Sequence, residues 1–458
     1  MNILIKSLFT FLLIGIFTYG TYSQNIQDTD GDGFTDGEEV AAGTAPLDQS
    51  SQLLPAPGTV FYVDNSGSPR CNNTTSGGSE TNPWCTINYA IGRIKSSNTL
   101  YVKAGTYTER VYINRPAGTA SKHTTIQAYP GHKVVIRSTG FSGSGRVKIE
   151  DTSYITFNGF EITNFNQGLF VENSRDILVQ NCYVHDVGQE AIHVKRGSSN
   201  VTIQNCIIHD TRRYKFNGEG IYIGTSSSTQ TELGVNDNTN NILIKNNEIF
   251  NTNDECIELK EGTYSVTIDG NVLSNCLLDP GITSKNWGAI DILEHENHYN
   301  SNPNHVVKNN IINTTKTAIG LHTGGSVFNN IIYGQADSYR GIGIDNTDSH
   351  NYTRRILNNT IALPSSRAVV GSGPTDDIRN NIGPSSPGNL AVNAAYFVNA
   401  STKDYHLVSG SAPVDTGADL TSLLPFVSGI NRDRDNVPRP QGSRWDIGAY
   451  EFGGTPTP

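Results

Sequence analysis

From about Tyr154 to Asn381 the chain alternates aliphatic and polar residues in short runs, each closed by an Asn-Asn, Asn-Cys or Gly-Asn pair. Val201-Thr202-Ile203-Gln204 runs into Asn205-Cys206, Ile242-Leu243-Ile244-Lys245 into Asn246-Asn247, and Val266-Thr267-Ile268-Asp269 into Gly270-Asn271. The phrase returns at Asn309-Asn310, Asn329-Asn330, Asn358-Asn359 and Asn380-Asn381. Alternation of period two marks a strand with one buried face. The second member of each pair forms a ladder spaced roughly 24 residues apart where no loop intrudes. A period of that length with three short strands per repeat predicts an all-β protein, a right-handed parallel β-helix. Asparagine suits its sharp corner, since it tolerates left-handed backbone and its stacked amides can bond along the ladder. A leucine-rich repeat is excluded because its leucine and helix pattern is missing.

Five further strands share another pattern, with two aliphatic residues two apart and variable residues between and after them. They are Ala191–Lys195, Gly220–Gly224, Cys256–Lys260, Ala289–Leu293 and Ala318–His322. Placed in register on adjacent turns about 4.8 Å apart, their outward residues form three columns. Glu190, Glu219 and Glu255 stand at the strand entrance, His193, Tyr222, Glu258 and Asp291 next, and Lys195, Gly224 and Lys260 beyond, with His322 on the same face. Insertions fall on both sides of these strands, at 212–216 and 277–287 before them and at 225–240 and 295–304 after them. Insertions in a solenoid gather on one face, often the binding face, so these should wall a groove.

The ends read differently. Trp84 to Ile94 has helical spacing of apolar residues and predicts a short amphipathic helix that caps the first turn. Residues 404–452, with Ser411–Gly417 and Asp446–Glu451, read as a closing segment without chemistry. Lys6 followed by an apolar run from Leu8 to Phe17 reads as an export signal, too short to span a membrane. The expected order is a signal over 1–23, a spacer and linker over 24–58, the β-helix with its groove over 59–390, and a cap over 391–458. A secreted, periplasmic or cell-surface monomer without a membrane span is expected.

Composition narrows the partners. The formal charge of -10 argues against nucleic acid. Of six cysteines, Cys71 and Cys85 bracket a polar loop and are expected to pair. Cys182 and Cys206, in matching phrases, should stack as thiols or as a disulfide. No cysteine pair has zinc-site spacing.

Asp28, Asp30, Asp32, Asp36 and Glu39 fall at the liganding positions of a twelve-residue calcium loop, with Gly33 at the sharp turn. The stretch resembles thrombospondin type 3 and dockerin-like repeats; it lacks a good helix before the loop, so it reads as a stiffened calcium-binding spacer and not as a sensor. In the repeat region, stacked carboxylates at one turn's spacing call for a counter-ion. Glu219, Asp254, Glu255, Glu258 and Asp291 are the candidate calcium ligands; alternatively they form a solvated ladder with Lys195, Arg196 and Lys260. Asp254-Glu255-Cys256-Ile257-Glu258 resembles the acidic calcium motif of family 9 pectate lyases. Glu255 and Lys260 are also similar to the acid and lysine of family 6 lyases, the chondroitinase B and alginate lyase family. Two departures are plain: Asp291 stands where family 9 would place its lysine, and the family 6 arginine has no counterpart.

The resemblance implies calcium-assisted β-elimination from a uronic-acid polysaccharide. Lys260, and next Lys195, would remove the C5 proton; Tyr222 or His322 would protonate the leaving oxygen, with His193 on the same face. Arg196, Arg212, Arg213, Lys215 and Lys285 would attract the polyanion, and Tyr214, Tyr264 and Trp287 would stack on sugars. Two alternatives remain: a glycoside hydrolase using Glu258 and Asp291, and a non-catalytic glycan-binding or adhesion protein.

Overall fold

The structure, a computed structural model, describes residues 59–454 except 69, 75–76, 142–144, 213–216, 295–296, 337–338 and 346–351. The expected signal, the spacer with Asp28, Asp30, Asp32, Asp36 and Glu39, and the side chains of Arg213, Tyr214 and Lys215 lie outside the described residues.

The short alternating runs fold into three parallel sheets, two of 12 strands and one of 10 among the described residues. Each turn lays one strand in each sheet, as in Arg175–Gln180, Tyr183–His185 and Ile192–Lys195, and the next turn pairs directly beneath it. The chain is a right-handed parallel β-helix. Its core is a set of in-register aliphatic columns. In the third sheet Leu169, Ile192, Ile221, Ile257, Ile290 and Ile319 follow one another down the axis, all fully buried. Like side chains stack on one another down the interior, and burial of each contributes on the order of 2 kcal/mol.

The corner between the first two sheets is the asparagine ladder. Asn181, Asn205, Asn246, Asn309, Asn329 and Asn358 all take positive φ at the turn. The residue after each points inward. Nδ2 of Asn271 donates to Oδ1 of Asn310 at 3.0 Å, Asn310 to Asn330 at 3.0 Å, and Asn330 to Asn359 at 2.9 Å. Cys182 and Cys206 occupy the same position on the earlier turns, as buried free thiols rather than a disulfide. Cys71–Cys85 is bonded as expected. A second disulfide, Cys256–Cys276, was not foreseen.

The N-terminal helix is shorter than its apolar spacing predicts. α1 covers only Ile87–Ile91. Trp84 is instead bridged to Val63 and Cys85 is tied to Cys71, and neither residue is part of the helix. The Glu109 carboxylate accepts from the N–H groups of Ile87 and Asn88, and Ile87, Ala90 and Ile91 pack into the core. At the other end, Trp445 with Leu420, Val427 and Ile430 covers the outward Phe328 and Leu357, so this segment lies along the side of the last turns. An ion pair between Arg439 and Glu451, buried on both sides, ties it together.

Candidate active site

The third sheet places its outward residues in the predicted columns. His193 is in register with Tyr222, Tyr222 with Glu258, Glu258 with Asp291, and Asp291 with Gly320. Lys195 and Lys260 stand two residues further along their own strands, over the corner that leads to the first sheet. Of the insertions, 277–287 leads into the strand that carries Asp291 and 225–240 follows the strand that carries Tyr222. One contains helix α2 (Ser227–Leu233), held by Gln230, whose Nε2 donates to the Glu261 carbonyl. The other is anchored by the Cys276–Cys256 bond, one residue from Glu255.

Three buried carboxylates converge. Glu219, Glu255 and Glu258 each offer an oxygen within 4.8 Å of the others. Burial, and next the Glu258 charge, push the Glu219 carboxyl well above its usual range, and the same two causes raise Glu255. Burial raises Glu258 to about 7 against the pull of Lys260. Lys260 Nζ lies 2.6 Å from Glu258 Oε1, while Glu258 Oε2 is buried without a hydrogen-bond partner. Burial disfavours the Lys260 ammonium, but Glu258 and Tyr222 outweigh it and hold the group above the ordinary lysine range. The ammonium also sits 5.1 Å from the Tyr222 ring centroid.

The other two predicted ligands turn elsewhere. Asp254 lies 3.7 Å from Arg212, which also pairs with Asp279. Asp291 Oδ1 lies 3.4 Å from His322 Nε2, and His322 Nδ1 lies 3.5 Å from Asp345. Burial pulls His322 down, but these two carboxylates outweigh it and hold the imidazole above its usual range. His193 differs: its Nε2–H donates to the Gly224 carbonyl at 2.8 Å, its Nδ1 has no partner, and burial, with Lys195 beside it, lowers it well below the usual range. Its neutral ring packs 4.3 Å from Tyr222.

The sugar-binding candidates scatter. Trp287 is exposed at the start of the strand carrying Asp291, and Lys285 is exposed beside it. Arg196 is bonded to Glu172 at 2.6 Å, so it does not neutralise the carboxylate cluster as the ladder alternative required. Arg212 is likewise turned to Asp254 and Asp279. Tyr264 belongs to the first sheet, around the corner from this face. The two turns upstream, Val147–Glu150 and Leu169–Glu172, carry Lys148, Phe170 and Glu172 on the same outward face. Both have the two-apart aliphatic pattern, so the signal that marks the later strands extends to them.

Comparison with known proteins agrees with this architecture. Residues 62–222 match the family described as Pel9A-like, right handed beta helix region, and residues 28–49 match the bacterial TSP3 repeat. No curated protein matches the sequence. Among solved structures, the pectate lyase Pel9A superposes with a TM-score of 0.60 at 15% identity, covering 86% of this chain and 97% of that one. An alginate lyase from Paenibacillus sp. str. FPU-7 gives 0.54 at 18% identity, covering 64% and 96%. A rhamnogalacturonan lyase gives 0.54 at 14% identity, covering 81% and 98%. The chain is thus a right-handed parallel β-helix protein that resembles the polysaccharide lyases, preceded by a thrombospondin type 3-like repeat.

Proposed function

We propose that this protein is a secreted polysaccharide lyase that cleaves a uronic-acid-containing polysaccharide by calcium-assisted β-elimination. The observation that carries the proposal is the convergence of Glu219, Glu255 and Glu258, three buried acids with raised pKa values, beside Lys260 on the outward face of the third sheet. The unpartnered Glu258 Oε2 is an acceptor that the fold leaves for a cation, and a set of carboxylate oxygens suits calcium. Glu219, Glu255 and Glu258 would hold it, and when bound it would supply positive charge to the substrate carboxylate and so favour the enolate-like intermediate.

The chain's own residues supply the rest. Lys260 takes the C5 proton as the free amine. Its bond to Glu258 opposes that form, so the lysine becomes a usable base only as the Glu258 charge is engaged elsewhere. Tyr222, whose hydroxyl is kept protonated by burial, is the neighbouring donor for the leaving oxygen. His322 is committed to Asp291 and Asp345, which makes it the second choice. The disulfide at Cys256 ties the insertion that begins at Cys276 to the chain between Glu255 and Glu258.

One observation favours a second reading. Glu258 and Asp291 are register neighbours, and an acid raised to about 7 beside another carboxylate is the arrangement of a retaining glycosidase. The test is a panel of uronic-acid polysaccharides mixed with the full-length secreted protein, with calcium and with chelator. Ultraviolet absorbance of an unsaturated product that needs calcium and is lost in Lys260→Ala supports the proposal. Absorbance that survives in Lys260→Ala moves the base to Lys195. New reducing ends without absorbance overturn the lyase and favour Glu258 and Asp291 as hydrolytic carboxylates.

A further inference from the structure

Around the corner from the carboxylate cluster, the first sheet carries a second groove, about 580 Å³ in volume. Small-ligand sites run from about 300 to 1,000 Å³. The floor comes from the strands His305–Lys308, Gly325–Phe328 and Arg354–Leu357. Val307, Val327 and Ile356 point into the core, so period two turns Val306, Ser326 and Arg355 outward, in register on successive turns. The same alternation turns Phe328 and Leu357 outward, and the C-terminal segment covers those two. It leaves Ser326 and Arg355 lining the groove. Val427 of that segment is buried, while Phe426 beside it is 68% exposed, the most exposed large apolar side chain among the described residues.

The polar groups here are uncommitted. Among the described residues no hydrogen bond or ion pair reaches the Arg355 guanidinium, which lies 5.5 Å from the Phe426 ring centroid. Asp377, its register neighbour on the next turn, has one oxygen 2.5 Å and the other 2.6 Å from Arg379 nitrogens. Arg355 therefore offers a planar fork of N–H donors, whatever the net charge around it. The Ser326 hydroxyl stands on the floor of the groove, its residue only 5% exposed, and it too has no hydrogen-bond partner among the described residues. His305 is lowered to about 4 by burial and is neutral above that pH. Asn302 and Thr353, both exposed, add an amide and a hydroxyl at the rim.

One aromatic face, one guanidinium fork and a few neutral hydrogen-bonding groups match a sugar ring that bears a carboxylate. A nucleic acid would need several cations, and Arg355 is the only lysine or arginine lining the groove among the described residues. We propose that this groove is a second, non-catalytic saccharide site, which seats a uronate with its ring on Phe426 and its carboxylate on Arg355. The site stands three turns after the one that carries Glu258 and on a different sheet, so it holds the polymer and takes no part in the reaction. The choice of a uronate rests on the uronan-lyase reading.

The test uses the full chain and its Arg355→Gln, Arg355→Lys and Phe426→Ala variants, each checked for an unchanged thermal midpoint. The probes are an oligogalacturonate, an oligomannuronate and the carboxyl-reduced, neutral counterpart of each. Calorimetry with chelator present reads binding, and initial rates with calcium read cleavage. Arg355→Gln and Phe426→Ala should each weaken one class of uronate binding about tenfold, as for the loss of a charge-assisted or stacking contact. Arg355→Lys should recover part of the first loss, and kcat and KM on the short oligosaccharide should not change. Uronate binding that is absent, or unchanged in both Arg355→Gln and Phe426→Ala, overturns the site; calcium-dependent cleavage in that same protein leaves the lyase reading standing. Binding that depends on Arg355 in a protein that cleaves no uronan overturns the lyase and leaves the site. A neutral probe that loses as much affinity in Arg355→Gln as the uronate does overturns the carboxylate assignment. A fall in kcat in either variant overturns the non-catalytic role.

Discussion

Calcium binding at the third sheet should release protons, and the structure sets the size of the effect. Glu258 has a pKa raised to about 7, mainly by burial, and Glu219 and Glu255 are also pushed above their usual range. The shift is upward, so the charged form that a cation needs appears as pH rises through the folded pKa and is lost as pH falls below it. Each unit well below about pH 7 weakens binding by about tenfold through Glu258 alone, about 1.4 kcal/mol. Between about pH 7, where about half of Glu258 is ionised, and about pH 5.5 the loss is roughly 16-fold, or about 1.6 kcal/mol, and the other two acids steepen it. Calorimetric titration in two buffers of different ionisation heat counts the protons. Asp28, Asp30 and Asp32 should first be changed to Asn, so that the N-terminal loop does not contribute heat. Glu258→Gln should lower the proton count by about one at about pH 5.5 and by about one half at about pH 7. Equal affinity at both pH values with no proton release would refute the reasoning, because these acids would then already be ionised in the metal-free protein.

Lys260→Ala should lower kcat on the preferred uronan by about 10²- to 10⁴-fold, the usual contribution of a positioned base, with stability read separately by thermal melting. Cys256→Ser opens the bridge across 20 residues and should cost about 3 kcal/mol in denaturant unfolding, with a parallel fall in calcium affinity. Asn310→Leu removes the acceptor for both Asn271 nitrogens and the donor to the Ile268 carbonyl. The Asn271 Nδ2 keeps the Ile244 and Asp269 carbonyls, but its backbone N–H is left buried and unpaired, which should cost about 1 to 3 kcal/mol, measured the same way.

The fold was legible because its determinants are local and repeated. Aliphatics two apart force a strand with one buried face, and an asparagine able to take positive φ forces the corner, so register follows from counting. The same counting places His193, Tyr222, Glu258 and Asp291 in one column, which is their register in the third sheet. The α1 helix was overestimated because apolar spacing does not register that Cys85 is tied to Cys71. The Cys256–Cys276 bond was missed because its two ends meet only when an insertion folds back against its own turn.

Sequence by itself determined the solenoid, its polar outward face, and the carboxylates that stand on it. Tertiary structure alone decided how those groups are divided. Glu219, Glu255 and Glu258 converge, whereas Asp254 turns to Arg212 and Asp291 to His322. Lys260 is bound to Glu258, whereas Lys195 lies over a phenylalanine. The reason is physical: strand alternation sets where each Cβ points, but a charged side chain several bonds long settles on whichever partner the neighbouring turns and insertions bring within reach. Those partners are far apart in the chain, and no local pattern records them.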